Sequence, residues 1–233
     1  MPLLKEIKDS LLHLAFPHVC EGCGTDNLQL EHLLCLRCSS SLPSTNFHLH
    51  ANNPIEKIFW GRIPLTCATA QYYFTKESLM QHLMHQFKYK GNEEVGLFLG
   101  KLMGWAMKES NRFTNIDALI PLPLHKSKEH KRGYNQAAVL CEGISSVTNK
   151  PVWKDVVARP EQTETQTKKH RVERWQNMEG KFLLVNEPAI EDKHVLLVDD
   201  VVTTGATLEA CGSELLKAKN LQLSIATLCF SFH

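Results

Sequence analysis

Apolar residues recur along this chain with two periodicities, and their alternation predicts strands and helices in turn. The run Val195-Leu196-Leu197-Val198 is apolar at every position, as a parallel strand buried on both faces must be. It leads into Asp199-Asp200, two valines, the turn Thr203-Thr204-Gly205-Ala206-Thr207 and a helix over Ala206 to Ala218. Earlier in the chain, CATAQYYF at 67–74 reads as a strand. Lys76 to Tyr89 places Leu79, Met80, Leu83, Met84 and Phe87 on one helical face, with Gly91 as the stop. A second helix is expected over Glu93 to Lys108, a short buried strand over Ile116 to Ile120, and a helix near Asn135. Phe182 to Val185 is expected to resume the sheet and Leu223 to Phe230 to form its late strand. Leu4, Ile7, Leu11 and Leu14 predict an amphipathic N-terminal helix. Residues 40–62, rich in Ser, Pro, Asn and His, read as a linker.

Composition narrows the class without naming a function. Hydrophobic residues make up 43% and charged residues 22% of 233 positions, which suits one medium α/β domain with a small appendage. The formal net charge of +1 argues neither for nor against nucleic acid. No stretch is apolar for long enough to span a bilayer. Lys5, Glu6, Lys8 and Asp9 interrupt the apolar core that a signal peptide needs, so a cytoplasmic protein with no membrane insertion is expected.

Four of the eight cysteines form two Cys-x-x-Cys pairs, Cys20/Cys23 and Cys35/Cys38, with eleven residues between the pairs. Each pair offers two thiolates from one tight turn, and two turns complete a tetrahedron around Zn²⁺. Four thiolates leave no open coordination position, so the zinc is structural. It compensates for a segment with too little apolar surface to fold alone. Cys67, Cys141, Cys211 and Cys229 lie in apolar segments and read as small buried hydrophobes. From Met1 to His50 three cations face five acids, so this module lacks the surplus that phosphate binding needs and reads as a scaffold or docking element. The expected division is 1–50 for the N-terminal helix and zinc module and 51–233 for the α/β domain.

The acid pair sits where the strand should end, and ligands of open α/β sheets bind beyond the carboxyl ends of strands. The Thr203–Thr207 turn opens a helix and presents backbone amides suited to a phosphate. Amides beside two carboxylates imply a ligand with both an anionic group and a hydroxylated or metal-bound part. A basic loop, Lys126, Lys128, Lys131 and Arg132, follows the 116–120 strand and should face the same crevice, a position suited to a pyrophosphate. Gly133 would let its backbone approach a ligand. Residues 158–182 are polar and basic and read as a flap able to close over a phosphate site. Leu124 to Trp175 carries eleven cations against six acids, which polarises the chain.

The apolar run, two acids, apolar run and T-G-x-T resemble the phosphoribosyl-pyrophosphate (PRPP) signature of type I phosphoribosyltransferases. Taken in order, the four cysteines, the I-P-L-P-L-H…R-G-Y-N-Q segment, the R…T-x-x-Q…R-x-x-N…F flap and this signature make the chain similar to the ComF family over nearly its whole length. Arg132, Gly133, Asn135 and Gln136 match the first segment; Arg159, Thr163, Gln166, Arg174, Asn177 and Phe182 match the flap. Tyr134 and Lys169 depart from the residues common at their positions.

The resemblance implies a type I phosphoribosyltransferase-like parallel sheet flanked by helices, with the zinc module in front. It implies that Asp199 and Asp200 hold the ribose hydroxyls and that Thr203, Thr204, Gly205, Ala206 and Thr207 hold the 5′-phosphate. Arg132 and Gly133, with the flap residues Arg159, Gln166 and Arg174, would draw off pyrophosphate. Mg²⁺ would accompany PRPP, and Asp199, Asp200 and Arg132 would serve catalysis. It also implies a role in DNA uptake and natural competence, beside a helicase-like ATPase. Two functions stay open. One is phosphoribosyl transfer to an acceptor for which no recognition segment stands out. The other is a non-catalytic PRPP sensor or single-stranded-DNA adaptor, with Tyr134 or Trp175 as a stacking plane.

Overall fold

Period-two alternation along one strand explains how the layers assemble. The computed structural model describes residues 18–26, 28, 32–160 and 182–231. The expected N-terminal helix and most of the 158–182 segment lie outside the described residues. The strands are β1 (Cys67–Tyr73), β2 (Ala118–Pro121), β3 (Val157–Ala158), β4 (Leu183–Leu184), β5 (His194–Val202) and β6 (Gln222–Phe230). The helices are α1 (Leu36–Ser40), α2 (Pro54–Phe59), α3 (Leu79–Tyr89), α4 (Glu93–Glu109), α5 (Lys126–Arg132), α6 (Gln136–Thr148) and α7 (Ala206–Leu215). A four-stranded sheet runs β1-β6-β5-β2, parallel throughout. In β5, Leu196 and Val198 pack into the cluster that holds α3, α4 and α6, while Val195 and Leu197 pack into the opposite cluster with α2 and α7. All four are fully buried, which is why the strand carries no polar alternation.

On the first face α4 and α6 cross at glycine. A Cβ on Gly100 would come within 2.5 Å of the Leu140 carbonyl, and one on Gly143 within 2.5 Å of the Leu97 carbonyl and 2.7 Å of Gly100 Cα. The two backbones therefore touch, and the sheet beneath is sealed by Leu99, Met103, Leu140 and Ile144.

Several boundaries differ from the sequence reading. Residues 40–62 are a folded buttress rather than a linker. Thr45 N–H donates to the Gln71 carbonyl at 3.0 Å and Tyr73 N–H to Pro43 at 2.9 Å, along the outer edge of β1. The Asn53 amide donates to the carbonyls of Phe47, His50 and Ala68. Its oxygen caps α2 by accepting from Ile55 and Glu56. Polar composition there serves capping, while Phe47, Ile55 and Phe59 are buried. Helix α3 starts at Leu79 behind a Ser78 cap instead of at Lys76. Phe182 to Val185 does not rejoin the main sheet; Leu183 and Leu184 pair antiparallel with Ala158 and Val157 in a separate ribbon. The basic loop at 126–132 is helical, capped by His125 and closed by Gly133 in the left-handed region at φ 87°.

The α4–α6 crossing leads to a direct test. Gly143→Ala should lower stability by about 1–3 kcal/mol, the usual cost of overpacking. Calorimetry should show a melting point lower by several degrees, and an unshifted transition would contradict backbone contact at this crossing.

Candidate functional site

Strand β5 continues through the acids to Val202, so Asp199 and Asp200 stand within its last turn of pleat rather than beyond it. Neighbouring strand residues point to opposite faces, and the acids divide accordingly. Asp199 lines a hollow of about 50 Å³ together with Thr203, Thr204, Gly205, Ala206 and Thr207. Asp200 is not among the residues lining that hollow; its Oδ2 lies 2.7 Å from the Lys88 ammonium on α3. Asp200 N–H donates to Asp199 Oδ1 at 2.8 Å. Burial, then the charge of Asp200, raises the Asp199 carboxyl to about 8, against the opposing pull of that N–H, Lys88 and Arg132.

The turn after β5 is shaped as an anion cradle. Gly205 sits at the N-cap of α7 with φ 75°, and no side chain caps the helix. The Ala206 N–H has only a long contact, 3.5 Å, to the Thr204 hydroxyl, and amides at such a helix start can turn to a ligand. A Cβ on Gly205 would meet Ile58 at 2.7 Å and Phe59 at 2.9 Å, so glycine is required by contact as well as by backbone. Arg62 straps the turn from outside. Its guanidinium donates to the Thr204 carbonyl at 2.8 Å and to Ile58 at 3.0 Å, and pairs with Glu209 on α7.

Opposite the acids, Arg132 donates to Gln136 Oε1 at 2.6 Å and lies 5.8 Å from the Tyr89 ring centre. Gly133 ends α5 in the left-handed region, and a Cβ there would meet no protein atom within 4 Å. Asn135 caps α6 and donates to the Leu122 carbonyl at 3.0 Å. Tyr134 is not an open stacking plane: its ring packs 5.8 Å from Phe87 and its hydroxyl donates to the Phe87 carbonyl. Burial pushes that phenol up to about 12. Arg159 lies over the Phe182 ring at 5.3 Å. Thr163, Gln166, Lys169, Arg174, Trp175 and Asn177 lie outside the described residues.

The sulfurs of Cys20, Cys23, Cys35 and Cys38 all lie within 4.8 Å of one another, with Cys23 and Cys35 at 3.7 Å. A tetrahedral zinc with Zn–S near 2.3 Å spaces its sulfurs roughly 3.8 Å apart, so the donor set fits the ion. The Cys35 amide lies 3.2 Å and the Gly22 amide 3.4 Å from Cys20 Sγ, as is usual around a bound thiolate. A Cβ on Gly22 would meet Cys38 Sγ and Leu79, each at 2.9 Å, which fixes glycine where the module rests on α3.

The phosphoribosyl transferase domain family matches residues 137–232, which takes in β5, the turn, α7 and β6. Competence protein F of Haemophilus influenzae is 28% identical, spanning 88% of this chain and 87% of the relative. DNA utilization protein YhgH of Escherichia coli K12 is 28% identical over 93% of this chain and 92% of its own. Competence protein ComFC of Bacillus subtilis is 30% identical over 91% of this chain and 77% of its own. The chain belongs to the ComF family. Among solved structures, a glutamine PRPP amidotransferase from B. subtilis complexed with ADP and GMP aligns with 60% of this chain and 30% of that chain, at 18% identity and a TM-score of 0.42.

As a ComF-family member the chain has a type I phosphoribosyltransferase-like sheet with the four-cysteine cluster ahead of it. No helix among the described residues is long and apolar enough to cross a membrane. Two residues beside the ComF site escaped the sequence reading, Lys88 and Arg62. Each reaches its partner across more than a hundred residues of chain. A helix pattern reports which face is apolar, not which distant acid a lysine at its end will meet. Arg62 carried no signal because its segment read as a linker.

Two outcomes follow from this geometry. Cys23→Ser should lose most of the roughly one equivalent of zinc per chain expected for the cluster, read by elemental analysis; full retention would remove Cys23 from the ligand set. Asp199, raised from roughly 3.9 when unfolded to about 8 when folded, favours the protonated fold. Its contribution is present below pH ~4 and lost as pH rises through about 8. Asp199→Asn should therefore melt several degrees above the natural protein at pH 8, the gap closing toward pH 4. A gap independent of pH would count against the raised carboxyl.

Proposed function

We propose that this protein binds PRPP with Mg²⁺ at the end of β5 and transfers its phosphoribosyl group to an acceptor, releasing pyrophosphate. One observation carries the reading: Asp199 and the amide-bearing Thr203–Thr207 turn line a single hollow. A ribose 5-phosphate needs that combination, an anion cradle at one end and hydroxyl acceptors at the other. The 5′-phosphate would accept from the amides at the start of α7, while Asp199 and Asp200 would accept from the ribose hydroxyls.

In the transfer the C1–O bond to pyrophosphate breaks, the bonding pair leaving with pyrophosphate. A new bond forms from the acceptor to C1, and the acceptor's proton passes to the released pyrophosphate or to water. Positive charge develops at C1, so the Asp200 carboxylate, joined by Asp199 once that group ionises, would favour the transition state over the ground state. Arg132, whose charge already acts on Asp199, would face the departing pyrophosphate. Hard oxygen donors from the acid pair, ribose and phosphates fit a magnesium ion, which would supply charge neutralisation to the pyrophosphate. The cysteine cluster would hold structural zinc, and residues 1–50 would form a module seated on the 51–233 domain. Free thiols in that arrangement suit a reducing cytoplasm.

The relatives' names, competence protein F and DNA utilization protein, support placing this reaction in competence or DNA utilisation. A helicase-like ATPase as partner and single-stranded DNA as the material handled belong to the same proposal and rest on the family resemblance alone. Titration calorimetry with Mg-PRPP should give saturable binding to the natural protein. Asp199→Asn with Asp200→Asn should weaken it more than tenfold. Pyrophosphate release on adding purine, pyrimidine or amine acceptors would report turnover. No Mg-PRPP binding at millimolar concentration would sink the proposal.

A further inference from the structure

We infer that Lys88 is a positioning residue of this site: it acts through Asp200, and α3 carries it there from the cysteine module. The inference rests on the PRPP reading above and adds a residue that lies outside the matched phosphoribosyl transferase domain, residues 137–232.

The contact is specific and shielded. Lys88 Nζ lies 2.7 Å from Asp200 Oδ2, with side-chain exposures of 18% and 13%. An ion pair this sheltered is less screened by salt than a surface pair, and removing its cation leaves a carboxylate beside Asp199 without compensation. Asp200, next to the Asp199 that lines the hollow, is held on the α3 side of the strand end by this pair. Lys88 thus determines where the second carboxylate is held while the first faces the turn. A cation at that point also offsets negative charge in a site that must admit a polyanion.

What places Lys88 is visible along one helix. At the start of α3, Leu79 packs against Gly22, between the two cysteines of the first pair. Further along, His82 Nε2 lies 3.1 Å from the Glu21 carbonyl, and the Gln86 amide donates to the same oxygen at 2.9 Å. Residues 79, 82 and 86 share one face, so three successive turns sit on the module. The last turn is fixed from the other side. The Phe87 carbonyl accepts from Tyr134, and the Tyr89 ring lies under the Arg132 guanidinium. Lys88, between these two anchored aromatics, has little freedom to place its ammonium elsewhere. The cysteine module and the acid pair are two ends of one rigid element.

A double-mutant cycle tests this with Mg-PRPP as the probe, in titration calorimetry on the full chain. Lys88→Met should weaken binding about tenfold with zinc content close to the natural protein, while its melting point falls because a sheltered carboxylate loses its cation; Lys88→Arg should recover most of both losses. In an Asp200→Asn background, Lys88→Met should cost little more, because its route to the ligand is already cut. Gln86→Ala, which loosens the seat on the module, should weaken binding by a smaller factor, and not further once Lys88 is methionine. Affinity unchanged in Lys88→Met, or a loss fully additive with Asp200→Asn, overturns the assignment. A natural protein that does not bind Mg-PRPP at all would instead defeat the PRPP reading, so the two failures are distinguishable.

Discussion

Adjacent carboxylates repel each other and resist leaving water, yet Asp199 and Asp200 stand at the end of a strand whose preceding residues are fully buried on both faces. The surroundings are arranged to hold that pair. The Asp200 amide bonds Asp199, Lys88 pairs with Asp200, and Arg132 and Lys88 together pull against the burial that raises Asp199. These groups come from three separate elements, β5, α3 and the end of α5. Charge compensation at one point thus adds to the packing that already joins these parts of the fold.

The Thr203–Thr207 turn depends on a different sort of support. Gly205 must be left-handed to open α7, and its bare Cα must also accept the side chains of Ile58 and Phe59. Arg62 adds a strap from the same segment to the Thr204 carbonyl and to Glu209. The turn is thus braced before any ligand arrives. Preorganisation of this kind spares a site the entropy of ordering its amides on binding.

Local signals in the chain were read correctly where one short stretch carries the whole determinant. Val195 to Val198, the Thr203–Thr207 turn and the paired cysteines each declare themselves within a few residues, because burial on both faces, a helix opening and two tight turns that gather four sulfurs are local requirements. Two expectations fail for a shared reason: polar composition does not mean lack of structure. Residues 40–62 use Asn53, Thr45 and Arg62 as caps and straps, and 126–132 forms a helix with no buried side chain. The strand β5 proved longer than its apolar run because compensating charges from elsewhere let two aspartates stay inside it. Those charges, Lys88 above all, are long-range facts that no periodicity encodes.

The outer edge of β1 has a consequence of its own. Its peptide groups are already engaged: Gln71 and Ala68 carbonyls accept from Thr45 and Asn53, Tyr73 N–H donates to Pro43, and the Ala68 amide donates to Glu56. A neighbouring chain therefore finds no free ladder on that side onto which to zip, and sheet-to-sheet stacking between molecules is blocked there. A partner approaching this flank must recognise side-chain shape and charge, since strand addition offers it no footing.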